Sequence, residues 1–271
     1  MLKKYLIIGC CIALLSACQS EEKQAEKHLR QAQSFYETEQ YGSAKQVLQE
    51  LKTLFPKQVQ VQRAALHLKQ AIDLKEQERN LSFCDSMLNV LQQEITAQEK
   101  HFIVETTEYG KRYTPAVWNP DIASGDKLLK ISLNDAGAST LTAVYVSATG
   151  VKFNQIKVAL SSGEYLSTQV VPYDGGKNYR YRDAFGNHYE IVAFDDKSEN
   201  GVLDFIAQYA EKKILLSYLG GAVSPVRELS DKEKQAIRQS RSFAVLRQDF
   251  ARFQQEKTKA EKRKQWLENS G

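Results

Sequence analysis

Three short stretches of this chain carry side chains whose types and spacing could do chemistry. Ser124-Gly125-Asp126-Lys127 matches a bare SxxK, in which a lysine one helical turn on deprotonates the serine for attack. The stretch sits among turn formers and has no companion motif, so a surface turn is the far better account of it. Asp196-Lys197-Ser198-Glu199-Asn200-Gly201, followed by Asp204, places oxygen side chains at alternate positions before a glycine. Asp196, Ser198, Asn200 and Asp204 are therefore candidate ligands for a hard cation such as calcium. The twelfth position is Ala207, where a bidentate glutamate would close the shell, and a glycine turn with Ser198 or Asn200 capping the next helix explains the same letters. The third stretch is aromatic. Tyr179, Arg180, Tyr181 and Arg182, with Tyr189 beyond the turn Asp183-Ala184-Phe185-Gly186-Asn187, form a candidate ligand patch. Phenol rings offer apolar faces and hydroxyl rims to a sugar ring or an extended peptide. Tyr109, Tyr113, Trp118 and Tyr173 add to the same region. Tyrosine also suits half-buried strand positions with no ligand at all.

Other chemistry is not encoded locally. No HExxH, GxSxG, GxGxxG, P-loop or CxxC pattern occurs. His28, His67, His101 and His188 are too scattered along the chain for two to share a metal by spacing alone. No cofactor and no catalytic residue is expected, and the reading is non-enzymatic. With 37 basic and 33 acidic residues the net charge is only +4, which calls for neither nucleic acid nor general membrane adhesion. An apolar content of 42% is enough to bury a core.

The amino terminus has a distinct pattern. Lys3 and Lys4 precede an apolar run from Tyr5 to Leu15, too short to span a bilayer as a helix, and Leu15-Ser16-Ala17-Cys18 closes it with small residues and a cysteine. This resembles the lipobox of bacterial lipoproteins. The resemblance implies cleavage of a signal peptide at residues 1–17, acylation of Cys18, a linker at 18–24, and a membrane partner reached through the lipid anchor. Gln19 after the cysteine resembles outer-membrane cargo, and Ser20-Glu21-Glu22-Lys23 resembles an acidic surface-export tag. Localisation in a bacterial envelope, periplasmic or surface-facing, is the expectation. Cys10 and Cys11 would leave with the signal, so Cys84 would stand alone and read as a small core residue.

The elements that must position the candidate sites follow from periodicity. Over residues 25–58, Ala32, Phe35, Tyr41, Ala44, Leu48, Leu51 and Pro56 occupy small, aromatic, apolar and proline positions that resemble one tetratricopeptide repeat, with Gln40-Tyr41-Gly42 as the turn. Small residues let the two helices approach, and one repeat cannot bury its own face, so a helix starting at Val59 must cover it. A helical pattern then runs over 59–101, with Leu74, Leu81, Cys84, Leu88, Leu91, Ile95 and Phe102 on heptad positions. Ser230-Asp231-Lys232-Glu233 reads as a capping box opening a helix over 230–268. Its seam is Ala236, Phe243, Leu246, Phe250, Phe253, Ala260 and Leu267. The two stripes are expected to bury one another as an antiparallel coiled-coil stalk, with a homodimeric coil as the competing arrangement.

Between them, residues 102–226 switch towards period two. Strands are expected at Ile103 to Tyr109, Leu128 to Leu133, Leu141 to Ser147, Ile156 to Leu160, Tyr165 to Val171, Tyr179 to Tyr181, His188 to Val192 and Ile214 to Leu219, with a helix from Val202 to Lys213. The fold class is α+β, with a mostly antiparallel sheet of six to eight strands and one helix. The expected function is an envelope binding or scaffolding protein for a protein or glycan ligand. The rivals are an enzyme acting on envelope polymer and an assembly factor for outer-membrane proteins of the repeat type.

Overall fold

The computed structural model describes residues 21–117 and 127–269. The lipobox with Cys18, and Trp118 and Ser124, lie outside the described residues. Helix and strand make up 49% and 25% of the structure, and every strand pairing is antiparallel, which defines an α+β protein. The chain divides into two compact units, one drawn from Met1–Met87 and Gln254–Gly271, the other from Leu88–Phe253.

The first unit is helical. Helix α1 covers residues 21–37, α2 covers Tyr41–Leu54, and α3 begins at Val59 and ends at Glu99. Fully buried Ala25, Ala32 and Ala44 allow close approach, and Leu48, Leu51, Val61, Ala65 and Ile72 fill the space between the three helices. The turn falls one residue earlier than Gln40-Tyr41-Gly42 suggests. Glu39 takes the positive φ of 58°, Gln40 is the N-cap, and Tyr41 and Gly42 already belong to α2. Helix α2 stops at Leu54, because Phe55 precedes Pro56 and that position disfavours helical backbone. The Gln62 side-chain amide also donates to the carbonyls of Leu51 and Phe55 at 3.0 and 2.9 Å, alongside the backbone amides of Phe55 and Gln58. Asp73 is buried between Lys45 (2.6 Å) and Lys69 (2.9 Å). Burial alone would raise its pKa, but hydrogen bonds from both lysines outweigh that and hold it below the ordinary carboxylate value.

Helix α5, Asp231–Asn269, contributes its last turns to this unit and runs antiparallel to α3 there. Lys257 meets Asp85 at 2.6 Å, and the Gln70 amide donates to the Leu267 carbonyl at 2.8 Å. Cys84, Ala260 and Leu267 are buried, while Leu74 and Leu81 are only half-buried and Ile72 takes the fully buried place.

Among the described residues the second unit carries ten strands in two sheets. They are β1 Phe102–Thr107, β2 Gly110–Pro115, β3 Lys127–Asn134, β4 Ser139–Ser147, β5 Gln155–Leu160, β6 Tyr165–Ser167, β7 Asn178–Arg182, β8 His188–Asp195, β9 Ile214–Leu219 and β10 Val226–Glu228. A six-stranded sheet has the order β1-β2-β3-β4-β8-β7, and a four-stranded one β10-β9-β5-β6. This corrects the single sheet of six to eight strands. The inner residues of both, Leu129, Ile131, Leu141, Val192 and Phe194 against Ile156, Val158, Leu216 and Tyr218, close one core together with α4 (Val202–Gln208) and with Ala236 and Ile237 of α5.

Several boundaries differ from the sequence pattern for identifiable reasons. Strand β2, Gly-Lys-Arg-Tyr-Thr-Pro, has no apolar alternation; a tight turn and Gly110 at φ 107° fold it back onto β1. Strand β10 extends past residue 226, pairing with β9. Strand β6 ends at Ser167 instead of Val171, because the next backbone amides turn to other elements: Gln169 donates to the Ser198 carbonyl and Val171 to that of Asn154. Helix α4 stops at Gln208, five residues short of Lys213, although no breaker intervenes. Ile214 must enter β9 opposite Leu160, and the chain between has to turn.

A second cluster joins Ile95 of α3, Phe102, Tyr113 and Leu133 of the larger sheet, and Phe243 and Ala244 of α5, with Phe102 and Phe243 rings 4.6 Å apart. The β3–β4 turn docks on α5 here. Gly137 sits at φ 78°, and a Cβ on it would lie 2.5 Å from the Ala244 carbonyl oxygen, so only glycine fits.

Two buried carboxylates tie the second unit together. Glu190 accepts hydrogen bonds from the amides of Val151, Lys152 and Phe153 at 2.6, 2.9 and 3.1 Å. Glu233 completes the capping box with Ser230 and also accepts from the Leu129 amide at 2.9 Å and from the Arg227 guanidinium.

Candidate functional site

Strand β7 is the last strand of the six-stranded sheet and has no strand on its far side among the described residues. Its hairpin with β8 is closed by Asp183–Asn187. The Asp183 carboxylate accepts from the Phe185 and Asn187 amides at 2.9 and 2.8 Å, and Gly186 takes φ 88°, as the glycine in that turn suggested. Hydrogen bonds from the Asn187 side chain, from these amides and from the Tyr189 hydroxyl hold Asp183 below the ordinary carboxylate range.

The pleat divides the candidate patch between two faces. Successive strand residues point to opposite sides, and Val192 and Phe194 of β8 face the core. In register with them, Asn178, Arg180 and Arg182 of β7 point to the core side, while Tyr179, Tyr181 and Tyr189 point outward. The five residues are therefore corrected from one patch to two groups. Arg180 reaches over the rim of the core. Its guanidinium donates to the Phe153 carbonyl at 3.3 Å, lies 5.1 Å from the Tyr173 ring centroid and 4.0 Å from Glu190. Its Nε has no hydrogen-bond partner among the described residues. Arg182 donates to His188 Nε2 at 2.9 Å.

On the outer face the tyrosines form an array. Tyr181 and Tyr189, directly opposite in the ladder, have ring centroids 4.7 Å apart at 6°, and Tyr179 and Tyr181 are 6.4 Å apart at 12°. Rings in a common plane cannot approach to 4.7 Å, so Tyr189 covers one face of Tyr181. The stacking direction runs across the strands, whereas Tyr179 is displaced along β7. Tyr179 and Tyr181 are thus near-parallel neighbours on the last strand, and both keep part of their surface exposed. Exposure agrees: 37% and 48% for Tyr179 and Tyr181 against 9% for Tyr189. Burial against its neighbours pushes the Tyr179 phenol upward, so it stays neutral and keeps its proton to donate. Beneath the rings, Val144, Val146 and Ile191 form a buried apolar floor with Leu128 packed against it. This floor, supplied by β3, β4 and β8, was not singled out from the sequence; the continuous apolar run Ala143 to Val146 was its available signal.

Further along the same outer face, β2, β3 and β4 leave an open polar hollow bordered by Lys111, Arg112, Asn134, Thr140, Thr142 and Lys197. It carries donors and acceptors, and the exposed Tyr109 ring lies at its border.

The calcium-type residues are each engaged separately. Asp196 accepts from the Ser139 amide (2.8 Å), Ser198 donates to Asp195 (2.8 Å), Asn200 donates to the Ser167 carbonyl (2.8 Å) and Asp204 pairs with Arg241 (2.7 Å). Among the described residues no group of three or more His, Cys, Asp or Glu side chains gathers as a metal shell. The capping expectation is also corrected. Gly201 is the N-cap of α4, at φ 80°, and the Glu199 carboxylate accepts from the Leu203 amide in place of Ser198 or Asn200. The four histidines remain apart: His28 packs on Phe55, and His188 on Arg182. No protein-family model, no curated protein and no solved structure matches the chain.

Proposed function

We propose that this chain is a lipid-anchored binding protein of the bacterial envelope whose ligand, a glycan or an extended protein segment, is held at the open edge formed by β7. The observation that carries this reading is the parallel pair Tyr179 and Tyr181, backed by Tyr189 and turned outward at an unpaired strand. Flat apolar rings rimmed by hydroxyls match the apolar face and equatorial hydroxyls of a pyranose. A specific feature favours a peptide as the second reading. Residues 177, 179, 181 and 183 face β8 in the hairpin, so the backbone groups of Arg180 and Arg182 point away from the sheet and offer two rungs to an added strand.

The anchor rests on the lipobox at Leu15–Cys18, and the repeat-like hairpin on the buried Ala32 and Ala44 between α1 and α2. The coiled-coil stalk is proposed from the antiparallel contacts of α3 and α5 within each unit, Asp85 with Lys257 in one and Ile95 with Phe243 in the other. These finer assignments describe a tethered scaffold and require no catalytic group.

The test is binding of the full mature chain to arrays of envelope oligosaccharides and of extended peptides, compared with the Tyr179→Ala/Tyr181→Ala variant. Retention by glycans that the variant loses, with its circular dichroism unchanged, supports the sugar-binding reading. Loss of peptide retention alone favours strand addition. Equal binding by both proteins, or by neither, rejects the site.

A further inference from the structure

Of the large exposed apolar side chains described in the first unit, Phe83 lies towards the far end of its part of α3, and the others lie on α2, the first turns of α3 and the end of α5. Leu54, Val59, Leu66 and Trp266 are each more than half exposed. Val59 and Leu66 are seven residues apart on α3 and share a face, Leu66 and Trp266 line one hollow together, and Leu54 closes α2 five residues before Val59. Arg263 lies 4.3 Å from the Trp266 ring centroid. From Leu51 to Ile72 the chain carries Lys52, Lys57, Arg63 and Lys69 and no acidic residue. The nearby acidic groups are Asp73, which lines the hollow and is paired with Lys69 and Lys45, Glu50 and Glu268 beside the named residues, and Glu21, Glu22 and Glu26 of α1, offset in part by Lys23 and Lys27.

The packing places α1 within reach of this patch. The His28 and Phe55 rings lie 5.3 Å apart, tilted at 59°, so the first turns of α1 lie beside the α2–α3 junction. Seven residues of helix separate His28 from residue 21, about 10 Å at 1.5 Å per residue. Cys18 is three residues further, at most about 11 Å of extended chain. A lipid attached there holds the α2–α3 junction within about 20 Å of the bilayer, with Leu66 and Trp266 about 10 Å further along α3, where a weakly inserting surface acts at high effective concentration. Indole rings favour the boundary between headgroups and acyl chains, and lysine and arginine favour anionic headgroups.

We propose that Leu54, Val59, Leu66 and Trp266, with the surrounding Lys52, Lys57, Arg63 and Arg263, form a second membrane contact that seats the first unit in the headgroup layer of an anionic bilayer. This inference rests on the reading of Cys18 as the acylated residue. A one-point tether leaves the unit free to swing, whereas two contacts fix which of its faces meets the lipid.

The test uses the full acylated chain reconstituted into vesicles of phosphatidylglycerol and phosphatidylcholine brominated near the headgroup. Tryptophan emission is compared with that of Trp266→Phe, whose difference from the parent isolates Trp266. The expected result is a blue shift and a loss of the Trp266 signal in brominated vesicles, both reduced by Val59→Ser/Leu66→Ser and by high salt. These exposed positions carry no core contact, and circular dichroism checks that the variants keep their fold. A chain that floats with the vesicles and carries acyl mass but shows no quenching of Trp266 overturns this inference and leaves the anchor standing. A chain without acyl mass that stays in the aqueous fraction overturns the anchor itself, and this inference with it.

Discussion

The two units are built on different physical terms. The helical unit packs sequence neighbours, with Ala25, Ala32, Ala44 and Ile72 interlocked by ridges and grooves and its one buried acid, Asp73, answered by lysines from α2 and from one turn away on α3. The β-rich unit closes strands far apart in the chain, and at its two critical joints a buried glutamate stands in for a missing strand or carbonyl. Glu190 gathers three successive amides from a loop, and Glu233 joins α5, β3 and Arg227. Local packing tolerates small losses gradually. A buried multivalent carboxylate does not, because every group it satisfied is left orphaned at once.

The largest expected effect tests that difference directly. Glu233→Ala leaves the Arg227 guanidinium and the Leu129 amide without their partner and should cost about 3–5 kcal/mol, as removal of one member of a buried charged pair does. Hydrogen exchange resolved by mass spectrometry should show lost protection in β3, β10 and the first turns of α5 while α1 and α2 remain protected. Equal deprotection of both units would mean that they do not differ in this way.

The reciprocal change is Ile72→Ala, a cavity among alanines and leucines of the helical unit, with an expected cost of about 3 kcal/mol. Its signature should be confined to α1, α2 and the beginning of α3. Loss of protection in the two sheets would dissolve the distinction from the other side.

Alkaline pH sharpens the comparison further. Burial pushes the Tyr218 phenol up to about 12, against the lowering influence of Arg227, and its hydroxyl lies between the Val144 carbonyl and Arg227 Nε, each 3.3 Å away. A group whose folded pKa is raised contributes stability that is complete below its unfolded value near 10 and lost as pH rises through 12. Tyr218 should therefore account for about 2–3 kcal/mol of weakening across that window, and Tyr218→Phe should remove that share, leaving the part due to Tyr113, which burial also pushes up to about 12. Urea titrations at pH 9 and pH 11.5 measure it; an unchanged slope in the phenylalanine variant would reject Tyr218 as the cause.

The smallest expected effect on stability falls on the proposed site. Tyr179→Ala and Tyr181→Ala remove exposed rings at a sheet edge and should shift the unfolding midpoint by no more than about 1 kcal/mol each. A larger loss would assign the array to the folding of the β-rich unit and count against its role as a ligand platform.

How much of this was legible in the letters follows the same division. The capping box at Ser230 and Glu233, the period of α3 and α5, and the glycine turn between β7 and β8 were all readable, since each depends on residues within a few positions. Strand β2 was not, because Gly110 to Pro115 carries no apolar alternation and forms only by pairing with β1. The extent of α4 was also misread. Its periodic residues continue to Lys213, but Ile214 is required at the edge of β5 and the helix gives way.

The aromatic patch shows the boundary most clearly. The sequence pattern groups Tyr179, Arg180, Tyr181, Arg182 and Tyr189 as one patch, and the strand pleat separates the two arginines from the three tyrosines. Which face met the core, that β7 had no further neighbour, and that Tyr189 stacked behind Tyr181 depended on the order of six strands drawn from residues 102 to 195. Local pattern determined the elements and their amphipathic faces, because propensity and period act over a few residues. Tertiary structure decided which edges stayed open and which carboxylates were buried, because those depend on closing contacts between residues scores of positions apart, which no short window contains.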